Sequence, residues 1–308
     1  MIIQYGPDII RDDTTVLTVG TFDGVHVGHQ AIIKYLNVRA DQQGGTAAVL
    51  TFDPHPRTVL TGQPTPLLTT IGERAQVLEE HGVKRLIVLP FTRDLAAMEA
   101  EDYVREVLVQ QIGLREIVVG YDHAFGRARL GNTELLRQMS ESLGFAVDRI
   151  PAAYVDDAVV SSTRIRKALM EDGAVHEAAN LLGRWYAMYG RVVHGDQRGR
   201  LIGFPTANLD VDAVKVVPHN GVYAVQVWVE DQRYGGMLNI GIRPTFEGHE
   251  RRIEVHLFDF DDDLYGQTIR LEFVKRIRDE RKFNGVDALI AQLTQDQACC
   301  LSVLASVS

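Results

Sequence analysis

One feature constrains this chain more than any other. Short β-branched runs alternate with helical stretches through its first half, and the alternation stops after Gly183. "VLTV" (16–19) precedes "QAIIKYLNVRADQ", "TAAVLTF" (46–52) precedes "GERAQVLEEHG", and "RLIVLPF" (85–91) precedes "EDYVREVLVQQIG". "EIVVG" (116–120) then precedes "TELLRQMSESLG", and "FAVDRI" (145–150) leads through a loop to "TRIRKALMEDG". The helical stretches carry apolar residues at spacings of three and four, and several close on glycine. Strand–helix alternation implies right-handed crossovers and a parallel sheet covered on both faces, an α/β fold. Ligands of such sheets sit beyond the carboxyl ends of the strands.

From "MYGRVVHG" to "RLEFVKRI" the pattern is strand only. "GVYAVQVWVE" and "RRIEVHLFDF" alternate apolar with polar residues, as half-buried antiparallel strands do. A last helix is expected over "VDALIAQLTQDQACCLSVLA". These stretches predict a small β-barrel with a C-terminal helix, and a domain boundary near Trp185 that divides the chain into 1–185 and 186–308. A length of 308 residues agrees with two cores rather than one.

Composition narrows the function. The net charge is -9, with no acidic or basic block, which argues against nucleic acid held by bulk electrostatics. A few local arginines are enough to hold a phosphorylated ligand. The longest apolar runs are too short to span a bilayer, so no membrane partner is expected. "MIIQYGPDIIRDD" lacks the basic start and long apolar segment of a secretory signal. The two cysteines are the neighbours Cys299 and Cys300, no disulfide framework, which points to a reducing cytoplasm.

The first candidate site is "GTFDGVHVGHQ", a strand-to-helix turn. Gly20 and Gly24 allow a tight path, and Gly28 lets a ligand approach the backbone. The following helix points unpaired N–H groups and its positive end outward. His26 and His29 lie one helical turn apart, so two imidazoles face one side above a helix start. That arrangement suits anionic oxygens. Zinc is an alternative, with His55 of "FDPHP" the nearest third ligand, and packing histidines are another. A second cluster, "VVSSTRIRKAL" (159–169), offers Ser161, Ser162 and Thr163 as caps or phosphate contacts, with Arg164, Arg166 and Lys167 nearby. Alone, it reads better as a capped helix with a solvated basic face.

In the second half, "GRVVHGDQRGRLIGFPTANL" (190–209) carries Gly195, Gly199 and Gly203 around Arg198 and Arg200. This fits a phosphate-covering loop or a glycine-rich hairpin, and no Gly-Lys-Ser/Thr follows. In the extended "PTAN", Thr206 and Asn208 share a face and present a hydroxyl and an amide oxygen, ligands suited to Mg²⁺ bound with ATP phosphates. On "RRIEVHLFDF", Ile253, Val255 and Leu257 line one face, and Glu254, His256 and Phe258 the other. Glu254 is thereby a candidate base or a solvated carboxylate.

Taken together, "GTFDGVHVGH", "TFDPHP", "VVGYDHAFGRARLGN" and "VSSTRIRKAL" resemble the FMN adenylyltransferase module of bacterial bifunctional riboflavin kinase/FAD synthetases. "GRVVHGDQRGRLIGFPTAN", "GVYAV", "NIGIRPTF", "EVHLFDFDDDLYG" and "RDERKF" are similar, in order, to the riboflavin kinase module. The resemblance implies a Rossmann-like nucleotidyltransferase domain followed by a six-stranded kinase barrel. It implies ATP and Mg²⁺ as cofactors, riboflavin as substrate, FMN as intermediate and FAD as product. In the first domain it makes His26 and His29 catalytic and gives Gly20, Phe22, Asp23, Gly28, Ser162, Thr163 and Arg166 to ATP. His55, Asp122 and Phe125 fall to the flavin, with His123 standing where relatives often carry an aromatic. In the second domain it makes Glu254 the base and gives Gly195, Gly199, Arg200, Thr206 and Asn208 to Mg·ATP, with Thr206 and Asn208 as metal ligands. Arg281 and Phe283 fall to the flavin. The rival readings are another nucleotidyltransferase with an accessory second domain, and a flavin carrier without ATP turnover.

Overall fold

Every residue of the run Thr15–Val19 is buried, which requires a strand covered on both faces. The computed structural model describes residues 1–121, 123–151, 154–155, 158–195, 198–245 and 248–307, and the backbone alone for Tyr154, Val155, Arg198, 243–245 and 248–250. They form two compact units, Met1–Ser162 and Thr163–Ser308.

The first unit holds β1 (Ile2–Tyr5), β2 (Thr15–Val19), β3 (Thr46–Asp53), β4 (Arg85–Pro90), β5 (Leu114–Val119) and β6 (Ala146–Arg149). All pair in parallel, in the order β1-β4-β3-β2-β5-β6. Chain direction across the sheet reverses between β2 and β5, so the switch point lies beyond Val19 and Val119. One face packs α1 (Val27–Gln43) and a later helix, Ile71–Glu80, through Ile33, Leu36, Ala75 and Leu78 on Val16 and Val49. The other face packs a π-helical stretch, Tyr103–Ile112, and the helix Thr133–Leu143 on Leu17, Val19 and Ile117. In chain order the remaining helices of this unit are α2 (Pro56–Thr61), α3 (Ile71–Glu80), α4 (Arg93–Ala97), α5 (Ala100–Asp102) and α6 (Thr133–Leu143). A hairpin of β7 (Tyr154–Val155) and β8 (Ala158–Val159) follows. The predicted strands and helices all form. The edge strand β1 went unforeseen, because "IIQY" leaves three of its four residues exposed and shows no buried periodicity.

The helix α7 (Ser162–Lys167) begins at the division, and α8 (Val175–Leu182) belongs to the second unit. Six antiparallel strands then close a barrel: β9 (Tyr186–Val193), β10 (Ala207–Val211), β11 (Gly221–Val229), β12 (Gln232–Thr245), β13 (Gly248–Leu257) and β14 (Thr268–Arg278). The short α9 (Arg198–Leu201) lies between β9 and β10, and α10 (Val286–Ala305) ends the chain where the apolar pattern placed it. The polar-out alternation expected of β11 and β13 is not what forms. On the barrel exterior, Val222, Ala224, Met237, Phe258 and Val274 pack with Cys300 and Leu304 of α10. One wall is therefore buried on both sides, and His256 and Phe258 are buried beside Val255 and Leu257.

Candidate active sites

The turn between β2 and α1 sits at the switch point of the sheet. Phe22 and Val25 take left-handed backbone, with φ of 46° and 40°, and both are buried. Such conformations are costly for residues with a β-carbon and persist only where the surroundings enforce them. His26 is the N-cap of α1, and its Nδ1 accepts from the His29 N–H at 3.3 Å. The two imidazoles stack with centroids 3.6 Å apart and planes 15° from parallel, while Phe22 lies 4.7 Å from His29. The cap thus fixes the orientation of the His26 ring through its Nδ1. Paired rings over a helix start are chemically suited to phosphate oxygens.

Two residues assigned to ATP sit differently from that assignment. The Asp23 carboxylate is fully buried and accepts from Leu68 N (3.0 Å) and Thr69 N (2.9 Å), so it shapes the turn from below. The Phe22 ring is likewise buried and acts by packing. Ser162 Oγ donates to the Asp23 carbonyl at 2.8 Å, which ties the serine-rich segment to the turn. Gly20 and Gly28 are half-buried at the turn's two ends. Thr163 is exposed and Arg166 half-buried on α7 at the start of the second unit, while Arg164 is paired with Glu177 at 3.0 Å.

His55 caps α2, with Nδ1 accepting from Arg57 N at 3.1 Å. Among the described residues no group of three or more His, Cys, Asp or Glu is placed to hold a metal, so the zinc alternative for His26, His29 and His55 gains no support. Phe125 is buried against Tyr103, at 5.9 Å between centroids, and packs over Gly131, where a β-carbon would meet its ring at 2.6 Å. Its ring is thus a core element under the loop after β5. His123 stands 5.5 Å from it and nearer the surface. Asp122 lies outside the described residues.

In the barrel, strand register brings the second set together. Asn208 on β10 pairs with Glu254 on β13, and Glu254 pairs with Asn239 on β12. Directly opposed residues have β-carbons about 5 Å apart, so an amide, a carboxylate and an amide form one row on the outer face. Thr206 precedes this row and is exposed. Gly195 approaches the Asn208 amide so closely that a β-carbon would lie 2.6 Å from Asn208 Cγ, and Gly199 similarly meets the Phe204 carbonyl. Arg200 is exposed on α9. Arg252 flanks the row, with Nη1 3.8 Å from Glu254 Oε1. Arg281 lies over the Phe283 ring at 5.0 Å, and Arg278 covers it at 5.8 Å.

Three contributors were not singled out from sequence. His256 Nδ1 lies 2.7 Å from the Pro205 carbonyl, and since a carbonyl only accepts, Nδ1 carries the proton. It fixes the segment that presents Thr206 and Asn208. Asn239 reaches the row only through register. The Glu280 carboxylate lies over Gly241, in the space a β-carbon would take, beside the Asn239 amide. Parity along β13 could have flagged His256; nothing local could have flagged Asn239 or Glu280.

Comparison with known proteins agrees with this division. A family model for FAD synthetase matches residues 9–164, and one for riboflavin kinase matches residues 182–304. Bifunctional riboflavin kinase/FMN adenylyltransferases from Haemophilus influenzae and Bacillus subtilis are 39% and 38% identical, covering 91% and 96% of this chain and 91% and 95% of their own. A crystal structure from Streptococcus pneumoniae, described as a macrolide-efflux protein, superposes with a TM-score of 0.86 at 34% identity, covering 97% of this chain and 98% of that one. Among the described residues of this chain, no helix is long and apolar enough to cross a membrane. With both modules matched in order and relatives similar over nearly their whole length, the chain belongs to the bifunctional riboflavin kinase/FMN adenylyltransferase family.

Proposed function

We propose that the His26–His29 turn and the Asn208–Glu254–Asn239 row are the two active sites of this enzyme. The chain is a bifunctional enzyme of FAD biosynthesis that phosphorylates riboflavin to FMN with ATP and adenylylates FMN to FAD, releasing pyrophosphate. We place the functional division at 185/186; the family matches run over 9–164 and 182–304, and the two compact units part between Ser162 and Thr163.

In the adenylyl transfer, a phosphate oxygen of FMN attacks the α-phosphorus of ATP, and the bond to pyrophosphate breaks. No covalent enzyme intermediate is needed, so the protein aligns two anions and offsets the charge that builds on phosphorus. The His26 and His29 rings and the N–H groups at the start of α1 offset that charge. Ser162, Thr163 and Arg166 take the β- and γ-phosphates. The family resemblance gives Asp122 and His55 to FMN.

In the kinase, the ribityl 5′-hydroxyl of riboflavin attacks the γ-phosphorus, and ADP leaves. Glu254 accepts the hydroxyl proton. Gly195, Gly199 and Arg200 cover the phosphates, and Arg281 with Phe283 borders the flavin. The donor set suits Mg²⁺: Thr206 offers a hydroxyl and Asn208 an amide oxygen on one face, both hard oxygen ligands that leave room for phosphate oxygens. When bound, Mg²⁺ offsets phosphate charge. The observation that carries this half is the register pairing of Asn208 with Glu254, which joins a phosphate-side ligand to a base. Both cysteines are free, one exposed and one buried, which supports a reducing cytoplasm.

The test is a split assay on full-length variants. His29→Ala lowers FAD formation from FMN by about 10²–10³-fold, as loss of a charge-stabilising donor does, and spares FMN formation. Glu254→Gln lowers FMN formation by about 10²–10⁴-fold and leaves supplied FMN convertible to FAD. Equal loss of both activities in either folded variant contradicts the assignment.

A further inference from the structure

Beneath the His26–His29 turn lies a buried arginine to which no part in the reaction has been given. Arg74, on α3, is only 2% exposed. Its Nη1 donates to Thr51 Oγ1 at 2.9 Å, its Nη2 to the Thr69 carbonyl at 3.0 Å and its Nε to Thr69 Oγ1 at 3.4 Å. Nη2 also stands 3.6 Å from Asp23 Oδ1, and both groups are buried.

Proton bookkeeping gives this network a direction. Thr51 Oγ1 donates its one proton to the Thr21 carbonyl at 2.9 Å, so it can only accept from Arg74. Thr69 Oγ1 lies 2.9 Å from the Gly24 N–H, from which it accepts, and 3.2 Å from Asp23 Oδ1, to which it donates. It therefore accepts from Arg74 as well. Both hydroxyls are held in one rotamer by the guanidinium, and each grips a backbone group of the turn: Thr21 O and Gly24 N. The third partner, Asp23, is itself a turn residue. The gripped segment contains the left-handed Phe22, Gly24 and Val25, at φ of 46°, 82° and 40°. A conformation of that kind needs outside support. A planar fork with several donors can serve all these acceptors at once, whereas an ammonium cannot reproduce the geometry.

We propose that Arg74 is a positioning residue for adenylyl transfer, acting through Thr51, Thr69 and Asp23 to hold the Gly20–His26 turn in the shape that sets His26 and His29 against the ATP phosphates. This rests on the assignment of that turn to ATP made above.

The experiment uses the full chain with Arg74→Met, which keeps apolar volume without donors, Arg74→Lys, and Thr51→Val, which removes one grip alone. His29→Ala is measured alongside. FMN-to-FAD conversion is followed well below the thermal unfolding midpoint; circular dichroism melting reports on folding, and riboflavin phosphorylation in the same sample normalises for the amount of chain. The expected result is a kcat for FAD formation lowered about 10²-fold in Arg74→Met, as misplacement by about 1 Å produces, with KM for FMN within about twofold and kinase activity unchanged. Arg74→Lys shows a similar loss despite its charge, and Thr51→Val a smaller one with the same kcat-only signature. Wild-type kcat in Arg74→Met or in Thr51→Val overturns the proposal. A loss that follows thermal destabilisation and recovers on cooling also overturns it, because that is a folding effect. If Arg74→Met fails to fold, Thr51→Val and Arg74→Lys decide by the same criteria. Retained FAD synthesis in His29→Ala would instead strike the underlying site assignment.

Discussion

Replacing Gly195 by alanine should separate catalysis from stability in the kinase site. The new β-carbon would meet Asn208 Nδ2 first, and would fall 2.6 Å from Cγ and 2.9 Å from Oδ1. Non-bonded heavy atoms settle at about 3.5 Å, so the Asn208 amide must retreat by roughly 1 Å or more. The atoms that must move are the end of a side chain rather than backbone. A displaced rotamer costs about 0.5–1.5 kcal/mol, which lowers the melting temperature by only a few degrees in a chain of this size. The same 1 Å matters far more to chemistry, because Asn208 shares the row with Glu254. Misplacement on that scale reduces rate about 10²-fold, equivalent to about 2.7 kcal/mol of barrier. The assay is riboflavin with Mg·ATP, the flavins separated over time, and FMN-to-FAD conversion measured on the same preparation. Kinase kcat/KM should fall about 10²-fold while adenylylation stays near wild type. Kinase turnover within twofold of wild type would refute the reasoning, since the amide could not then be needed where Gly195 lets it sit.

Two further outcomes follow from buried groups on α10. Asp296 is 2% exposed and accepts from Arg278 Nε at 2.9 and 3.0 Å, with Arg278 Nη2 at 2.6 Å and Gln292 Nε2 at 2.6 Å. Asp296→Ala leaves the guanidinium without its carboxylate and should destabilise the chain by about 3–5 kcal/mol, read as lowered urea resistance; an unchanged midpoint would show the pair to be dispensable. Burial, followed by the neighbouring Cys299 and Asp296, pushes the Cys300 thiol up to about 12, whereas Cys299 is exposed. Iodoacetamide at neutral pH should therefore add one group to the native chain and two to the denatured chain, counted by mass spectrometry, and two additions to native protein would contradict the packing.

Most elements of the first unit were legible because their signals are local. "VLTV" and "TAAVLTF" announce buried strands by composition, and the glycine stop of α1 at Gly44, with φ of 58°, is a short-range signal too. The His-x-x-His spacing predicted rings on one side, and the stacked imidazoles have that arrangement. Asp23 and Phe125 were harder. Both sit in motifs with polar or aromatic character that suggests ligand contact, yet their burial depends on distant partners: Leu68 and Thr69 for one, Tyr103 and Gly131 for the other. Arg74 had no signal at all, since an arginine in "GERAQ" reads as the solvated side of a helix.

The sequence by itself determined that a parallel α/β unit precedes an antiparallel one, that a phosphate-suited turn follows the strand "VLTV", and that Thr206, Asn208 and Glu254 are candidates on extended segments. These follow from periodicities of 3.6 and 2 and from glycine, proline and capping chemistry, all set by neighbours along the chain. Only the tertiary structure decided that Asn208, Glu254 and Asn239 share one row, that α10 buries an outer wall of the barrel, and that Arg74 braces the histidine turn. Register, barrel closure and buried polar pairing are set by which distant segments exclude water together, and no window of the sequence carries that information.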